Sequence, residues 1–357
     1  DKQMTISAFS DELAQVRTKK KEFLSQIERI VPVEGMAIPD SAVHYKGERG
    51  NKPYPLEIML RLYLLQNLYD LSDEATAAEA IDSRAFSDFC GIDSSNQGPD
   101  GDTLGRFRNL LIKNGLQEKL FSQVVAALME RGLILKKGTI VDSTIISAPS
   151  STKNSEKKQD PDAHQVKKAY LVFGYKAHIG VDKDSGLVHT VEATSANVHD
   201  VTKTSKLLTG EEEVVYGDSG YLGAGKHDDA IIRNKAGRKI KYRINRRPSQ
   251  VKKLSKSGQY AAKKAEHAKS SVRAKVEHVF GVVKKQLRFR KTRYRGLEKQ
   301  RAKFNIMFAL ANLILTDSLA WQLESVYSVS QSMGQSYWFL QNGFPANAHP
   351  SICAVLP

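Results

Sequence analysis

G-T-I-V-D-S-T-I-I-S-A-P-S, residues 138–150, is where the chain changes character. Upstream, apolar residues recur at helical spacing; here the sequence turns β-branched and carries an aspartate, Asp142, at its middle. β-Branched side chains suit a pleated surface, so 139–146 reads as a strand. A carboxylate inside such a strand is costly unless a partner meets its charge or the strand lies on an edge facing solvent. Taken alone, the stretch leaves both readings open.

Downstream, 173–181 and 187–194 also read as strands, joined into a hairpin by D-K-D-S-G at 182–186. A helix over 201–208, a short strand over 213–217, a helix over 225–234 and a fifth strand over 239–244 follow. Long helices over 261–287 and 298–325 close the segment. This order predicts an α/β fold, a mixed five-stranded sheet with helical cover. The polar run 150–163 between the first two strands is expected to be mobile.

Upstream, the spacing predicts helices over 22–30, 56–69 (amphipathic), 73–83, 103–113 and 116–131, with Ser72 as an N-cap and Gly132 as a stop. Residues 93–102 read as a loop. The expected organisation is an all-α domain at 1–136 that binds DNA or dimerises, a catalytic domain at 137–325, and a tail at 326–357. The tail has no periodicity, and its Tyr337-Trp338-Phe339-Leu340 run leaves docking, self-association and read-through from elsewhere all open.

Charge narrows the function. The net charge is +15, and Lys226–Lys303 holds 27 of the 54 Lys and Arg residues against five acids. Such a concentration is the electrostatic footprint of a nucleic-acid binder. The longest apolar run, 306–315, is too short to span a bilayer and includes Asn312. With two cysteines, disulfide scaffolds and cysteine zinc sites are excluded, which points to a reducing, cytoplasmic compartment. The start lacks an apolar signal region, and its missing initiator Met suggests a trimmed terminus.

Two further carboxylates match Asp142. Asp218 ends the strand in E-V-V-Y-G-D-S-G-Y (213–221), where open α/β sheets gather their ligand sites; capping the following helix is the other reading. Glu277 lies in S-V-R-A-K-V-E-H-V-F-G-V-V-K-K (271–285) with Arg273 and Lys284. On a regular helix these three point within roughly 40° of one another, beside an apolar stripe of Val272, Val276, Val279 and Val283. A surface salt-bridge ladder is the plain alternative. If the three carboxylates converge, they suit hard divalent ions, Mg2+ or Mn2+, two of which can serve phosphoryl transfer on DNA.

The G-D-S-G string at 217–220 resembles a serine-protease nucleophile loop, but a strand-to-helix junction and heavy positive charge disagree with that. His178, His189 and His278 read as structural. His199 is a candidate assisting residue, and Asp200 reads as a possible cap for the helix after it. Lys176 alternates with His178 on one strand face, from which it could approach DNA.

Five strings, V-D-S-T-I-I-S-A-P-S-S-T-K-N (141–154), G-Y-K-A-H-I-G-V-D (174–182), A-N-V-H-D (196–200), G-D-S-G-Y (217–221) and V-R-A-K-V-E-H-V-F-G-V-V-K-K-Q (272–286), together resemble DDE transposases of the insertion sequence 5 family. P-Y-P-L-E-I-M-L-R (53–61) and T-L-G-R-F-R-N-L-L (103–111) resemble that family's helical leader. The resemblance implies a ribonuclease-H-like core with Asp142, Asp218 and Glu277 as the catalytic, metal-binding triad. It places Arg273 and Lys284 in the Arg and Lys positions of the Y-x2-R-x3-E-x6-K motif, with Ser270 where the Tyr would stand.

The expected activity is cleavage at the ends of a mobile element and joining of a 3′-hydroxyl to target DNA. The expected partners are terminal inverted repeats, target DNA and a second protomer at least, with no membrane, in the bacterial cytoplasm at the nucleoid. Arg273, Lys284, Lys285, Arg288, Arg290, Lys291, Arg293, Arg295 and Lys176 are the expected DNA contacts. A nuclease without strand transfer and an inactive DNA-binding descendant are the alternatives.

Overall fold

A computed structural model describes residues 18–30, 53–92, 98–153, 157–167 and 171–332, with side chains for all of these except Ile30 and 317–332. Residues 93–97 of the expected loop at 93–102, residues 154–156 of the polar run and the tail beyond 332 lie outside the described residues. The chain forms two compact units, 1–110 and 111–357.

The first unit is helical: α1 (Lys19–Ile30), α2 (Leu56–Leu68), α3 (Asp73–Asp82), α4 (Arg84–Cys90) and the start of α5 (Gly101–Lys113). Ser72 caps α3 as its sequence predicts, its hydroxyl accepting from the Ala75 amide at 3.1 Å. Helix α2 departs from the amphipathic expectation, because its polar Gln66 and Asn67 are buried as fully as its leucines. Both are satisfied there: Gln66 donates to Asp73 at 2.6 Å and Asn67 to the Tyr63 carbonyl at 2.6 Å. Helix α4, which the sequence reading did not include, begins after Ser83 breaks the helical backbone.

The second unit opens with α6 (Leu116–Glu130), which packs on the last helix, Leu297–Ser332, and that helix packs on the sheet, so this helix of the expected leader lies in the second unit. The strands are β1 (Gly138–Ser147), β2 (His164–Lys167), β3 (Leu171–Asp182), β4 (Val188–Ser195), β5 (Val214–Gly217) and β6 (Lys241–Ile244). Their order is β2-β3-β1-β5-β6, with β4 also paired to β3. β3 runs antiparallel to β1, β2 and β4, whereas β5 runs parallel to both β1 and β6. This is the mixed sheet of a ribonuclease-H-like core, with six strands where five were expected. The added strand is β2, beside the polar run. That run is also anchored: Tyr175 and the Gly296 amide both donate to the buried Asp160.

Two expected helices are absent. Over 201–208 stand two 3-10 turns, Asp200–Lys203 and Ser205–Leu207. There the Thr202 and Thr204 hydroxyls donate to carbonyls three residues back, competing with the α-helical ladder. Over 225–234 the chain makes the 3-10 turn Ala224–Lys226 and then doubles back at Asn234–Gly237 to pair Arg233 with Lys239. The Asn234 side chain accepts from the Ala236 and Arg238 amides, and Gly237 supplies a φ of +75°.

Helices α7 (Pro248–Lys252) and α8 (Lys256–Gly281) follow, then a π-helical turn Val282–Gln286, then α9 (Leu297–Ser332). The C-terminal half of α8 lays Val276, Val279 and Phe280 into the core and packs on β1 and β5. Among the described residues, no helix is long and apolar enough to cross a membrane.

Candidate active site

The parallel register of β1 and β5 pairs Val141 with Gly217, so the next residues, Asp142 and Asp218, stand side by side where β5 ends. Asp142 is the more enclosed, its side chain 14% exposed. Burial raises its carboxyl above the ordinary carboxylate range, the positive charge of Arg273 opposes that rise, and the negative charge of Asp218 adds to it. Arg273 reaches down from α8 and donates from Nη2 to Asp142 Oδ2 at 3.0 Å; the Ser143 amide donates to Oδ1 at 2.8 Å.

Asp218 fills both roles that its sequence allowed. It ends a strand, and it caps the 3-10 turn Ser219–Tyr221 by accepting from the Gly220 amide at 2.8 Å. Among the described residues it forms no ion pair with a basic side chain.

Glu277 follows Arg273 by four residues on the same straight helix, hence on the same face, and is exposed. Lys284 lies in the π turn beyond Gly281, so the angular alignment expected from one regular helix does not extend to it. Among the described residues, no three or more His, Cys, Asp or Glu side chains are grouped to hold a metal ion. The structure thus joins two of the three expected carboxylates and leaves Glu277 one helical turn from the arginine bound to the first. In donor chemistry the Asp pair fits a hard cation. It offers only carboxylate oxygens, and one member is already bound to a positive group.

On the opposite face of β1 lies a cluster that sequence reasoning did not assemble. Alternation along the strand puts Ser143 beside His178, and Ile145 beside Lys176, away from Asp142. Ser143 donates to Asp200 Oδ1 at 2.8 Å, and Lys176 stands 3.0 Å from the same oxygen. Asp200 therefore does not cap the turn that follows it. Nor is Lys176 available to DNA: it is 6% exposed, and its ammonium also donates to the Val198 carbonyl at 2.6 Å. His178 is fully buried and donates or accepts at Thr194, and burial pushes its ring below the ordinary histidine value. The legible signal for this cluster was the pairing of the K-A-H and N-V-H-D strings, both of which put a charge beside a histidine.

Tyr221 is buried over this cluster with Val141, Leu207 and Val215. Burial first, and then the charges of Asp200, Asp142 and Asp218, push its hydroxyl far above the ordinary value. His199 is exposed, and its carbonyl accepts from Thr202.

The basic residues after α8 follow a plain pattern. Leu287, Phe289 and Thr292 are buried, while Lys285, Arg288, Arg290, Lys291 and Arg293 are exposed. The segment is fixed to the end of β1, since the Ser147 amide donates to the Arg290 carbonyl and the Thr292 amide to the Ser147 carbonyl. Arg295 is turned inward, donating to the Lys158 and Gln159 carbonyls. Ser270, in the motif's tyrosine position, accepts from the Asn245 side chain at 3.2 Å.

Compared with known families, residues 134–313 match the family described as Transposase DDE domain, and residues 11–110 match Transposase domain (DUF772). No solved structure matches the chain.

Proposed function

We propose that this chain, which belongs to the transposases with a DDE domain, cuts DNA at the ends of its own mobile element and joins the resulting 3′-hydroxyl to target DNA. The single observation that carries this reading is the placement of Asp142 and Asp218 side by side at adjacent parallel strands, with Asp142 bound by Arg273 from the helix that also carries Glu277.

In the first step a water oxygen attacks phosphorus in line, the bond to the 3′-oxygen breaks, and that oxygen leaves as a hydroxyl. In the second step this hydroxyl attacks a target phosphorus, and the target's own 3′-oxygen leaves. No covalent bond to the protein forms. Asp142, Asp218 and Glu277 would hold Mg2+ or Mn2+, two ions per site, whose chemistry when bound is to activate the attacking oxygen and stabilise the leaving one. Arg273 orients the Asp142 carboxylate through its 3.0 Å bond. Lys285, Arg288, Arg290, Lys291 and Arg293 grip backbone phosphates and set the register of the duplex without reading its sequence. Joining two ends requires at least two protomers in the working complex, acting on nucleoid DNA in the bacterial cytoplasm.

The test is to incubate the purified chain with end-containing DNA, Mg2+ and a target plasmid. Joined products support transposition. Nicks without joining favour the nuclease, and binding with neither product favours an inactive descendant.

A further inference from the structure

We infer that Asp200 is a positioning residue for the Asp142–Asp218 pair, acting on one through the Ser143 hydroxyl and on the other through the Gly220 turn. The inference rests on the reading of that pair as the place where divalent cations act. It concerns a residue whose sequence context suggested only a turn cap.

The geometry is specific to the two oxygens of Asp200. Oδ1 is committed inward, to the Ser143 hydroxyl at 2.8 Å and the Lys176 ammonium at 3.0 Å. Ser143 is the residue next to Asp142, and its own amide donates to the Asp142 carboxylate, so the bond to Asp200 fixes the backbone from which Asp142 projects. Oδ2 faces the other side. A β-carbon placed on Gly220 would lie 3.5 Å from Asp200 Oδ2 and 3.0 Å from Asp218 Oδ1, so both carboxylates border the one small residue between them. Asp200 thus binds the residue next to Asp142 and lies beside the turn bearing Asp218.

Two buried polar atoms make this more than a surface cluster of acids. The Tyr221 hydroxyl is buried where the charges of all three aspartates act on it, with the Ser143 hydroxyl as its polar neighbour and no hydrogen bond of good geometry. The neighbouring Ser143 hydroxyl is already spent on Asp200. His178 Nδ1 is likewise buried without a hydrogen bond, 3.6 Å from Asp200 Oδ1. Among the described residues, Asp142 pairs with Arg273 and Asp200 with Lys176, while Asp218 forms no ion pair.

The role separates by side-chain chemistry. Asp200→Asn keeps an oxygen that accepts from Ser143 in the same place, whereas Asp200→Ala removes it. Calorimetric titration of the full chain with Mn2+ should show Asp200→Ala weakened about 10-fold, as expected for loss of a side chain that orients a ligand. Asp200→Asn should be weakened far less. The Mn2+ needed for half-maximal cleavage should shift by the same factors, with binding to end DNA held; Asp200→Ala also strands the buried Lys176 ammonium and lowers the thermal midpoint, which Ser143→Ala leaves in place. Ser143→Ala, which removes only the hydroxyl link, should shift Mn2+ affinity in the same direction and decides the matter if Asp200→Ala does not fold.

Mn2+ binding unchanged in both Asp200→Ala and Ser143→Ala overturns the proposal, as does a wild type that binds no Mn2+. So does an Asp200→Asn variant that loses the ion as completely as Asp142→Asn, because Asp200 would then be a ligand itself. If the Mn2+ shifts occur but the wild type neither cuts nor joins DNA, the positioning role stands and the transposition reading falls.

Discussion

Arg273 on α8 and Asp142 on β1, 131 residues apart in sequence, meet in a 3.0 Å hydrogen-bonded ion pair. Their side chains are 20% and 14% exposed, so the pair is largely shielded and neither charge is solvated well without the other. Arg273→Met should therefore cost about 1–3 kcal/mol of stability, the range for losing a hydrogen bond to a charged group. Arg273→Lys should recover part of it, limited because an ammonium lacks the guanidinium fork. Urea unfolding of the three proteins measures this; equal midpoints would mean that water compensates Asp142 fully.

The pH dependence of Asp142 has a definite sign. Its folded-state value lies above that of an unfolded aspartate, about 3.9. Between these values the folded state holds the proton more tightly, so the contribution of Asp142 to stability falls as pH rises through the window and is constant above it. Asp142→Asn mimics the protonated form and should gain stability relative to wild type on going from pH 4 to pH 7. A relative loss over the same interval would mean that Arg273 lowers the carboxyl more than burial raises it. The same variant should bind end DNA but fail to cleave it.

Lys176 distinguishes an internal anchor from a DNA contact. Because its ammonium is buried against Asp200 and the Val198 carbonyl, Lys176→Met should destabilise the fold by about 3–5 kcal/mol by stranding the Asp200 charge. The salt dependence of DNA binding, measured where the variant remains folded, should not change. A shallower slope would place this lysine on the nucleic acid after all.

For the exposed residues Lys285, Arg288, Arg290, Lys291 and Arg293, the expectation is the reverse. Each change to Gln should leave the unfolding midpoint nearly unchanged and lower the slope of log affinity against log salt by about 0.9. The loss should be the same on end DNA and on unrelated duplex, because phosphates carry no sequence information. A change confined to end DNA would instead assign the residue to base recognition.

The sequence by itself determined the strand at Asp142, the strand end at Asp218, the helix bearing Arg273 and Glu277, and the basic segment after it. These are local matters of β-branching, apolar spacing and charge density, which a chain displays before it folds.

Tertiary structure decided what each charge meets. Lys176 and His178 read as one strand face, yet only the loop after β4, folding back over β1, puts Asp200 against them and Ser143. The π turn at Val282–Gln286 takes Lys284 off the regular helix that carries Glu277. The helices expected over 201–208 and 225–234 gave way to 3-10 turns and a doubled-back chain, where threonine hydroxyls and the Asn234 side chain hydrogen-bond the backbone locally. Apolar spacing records how much of a segment is buried. It does not record which distant carboxylate a cation will meet, because that depends on contacts formed only when the strands, turns and helix have packed.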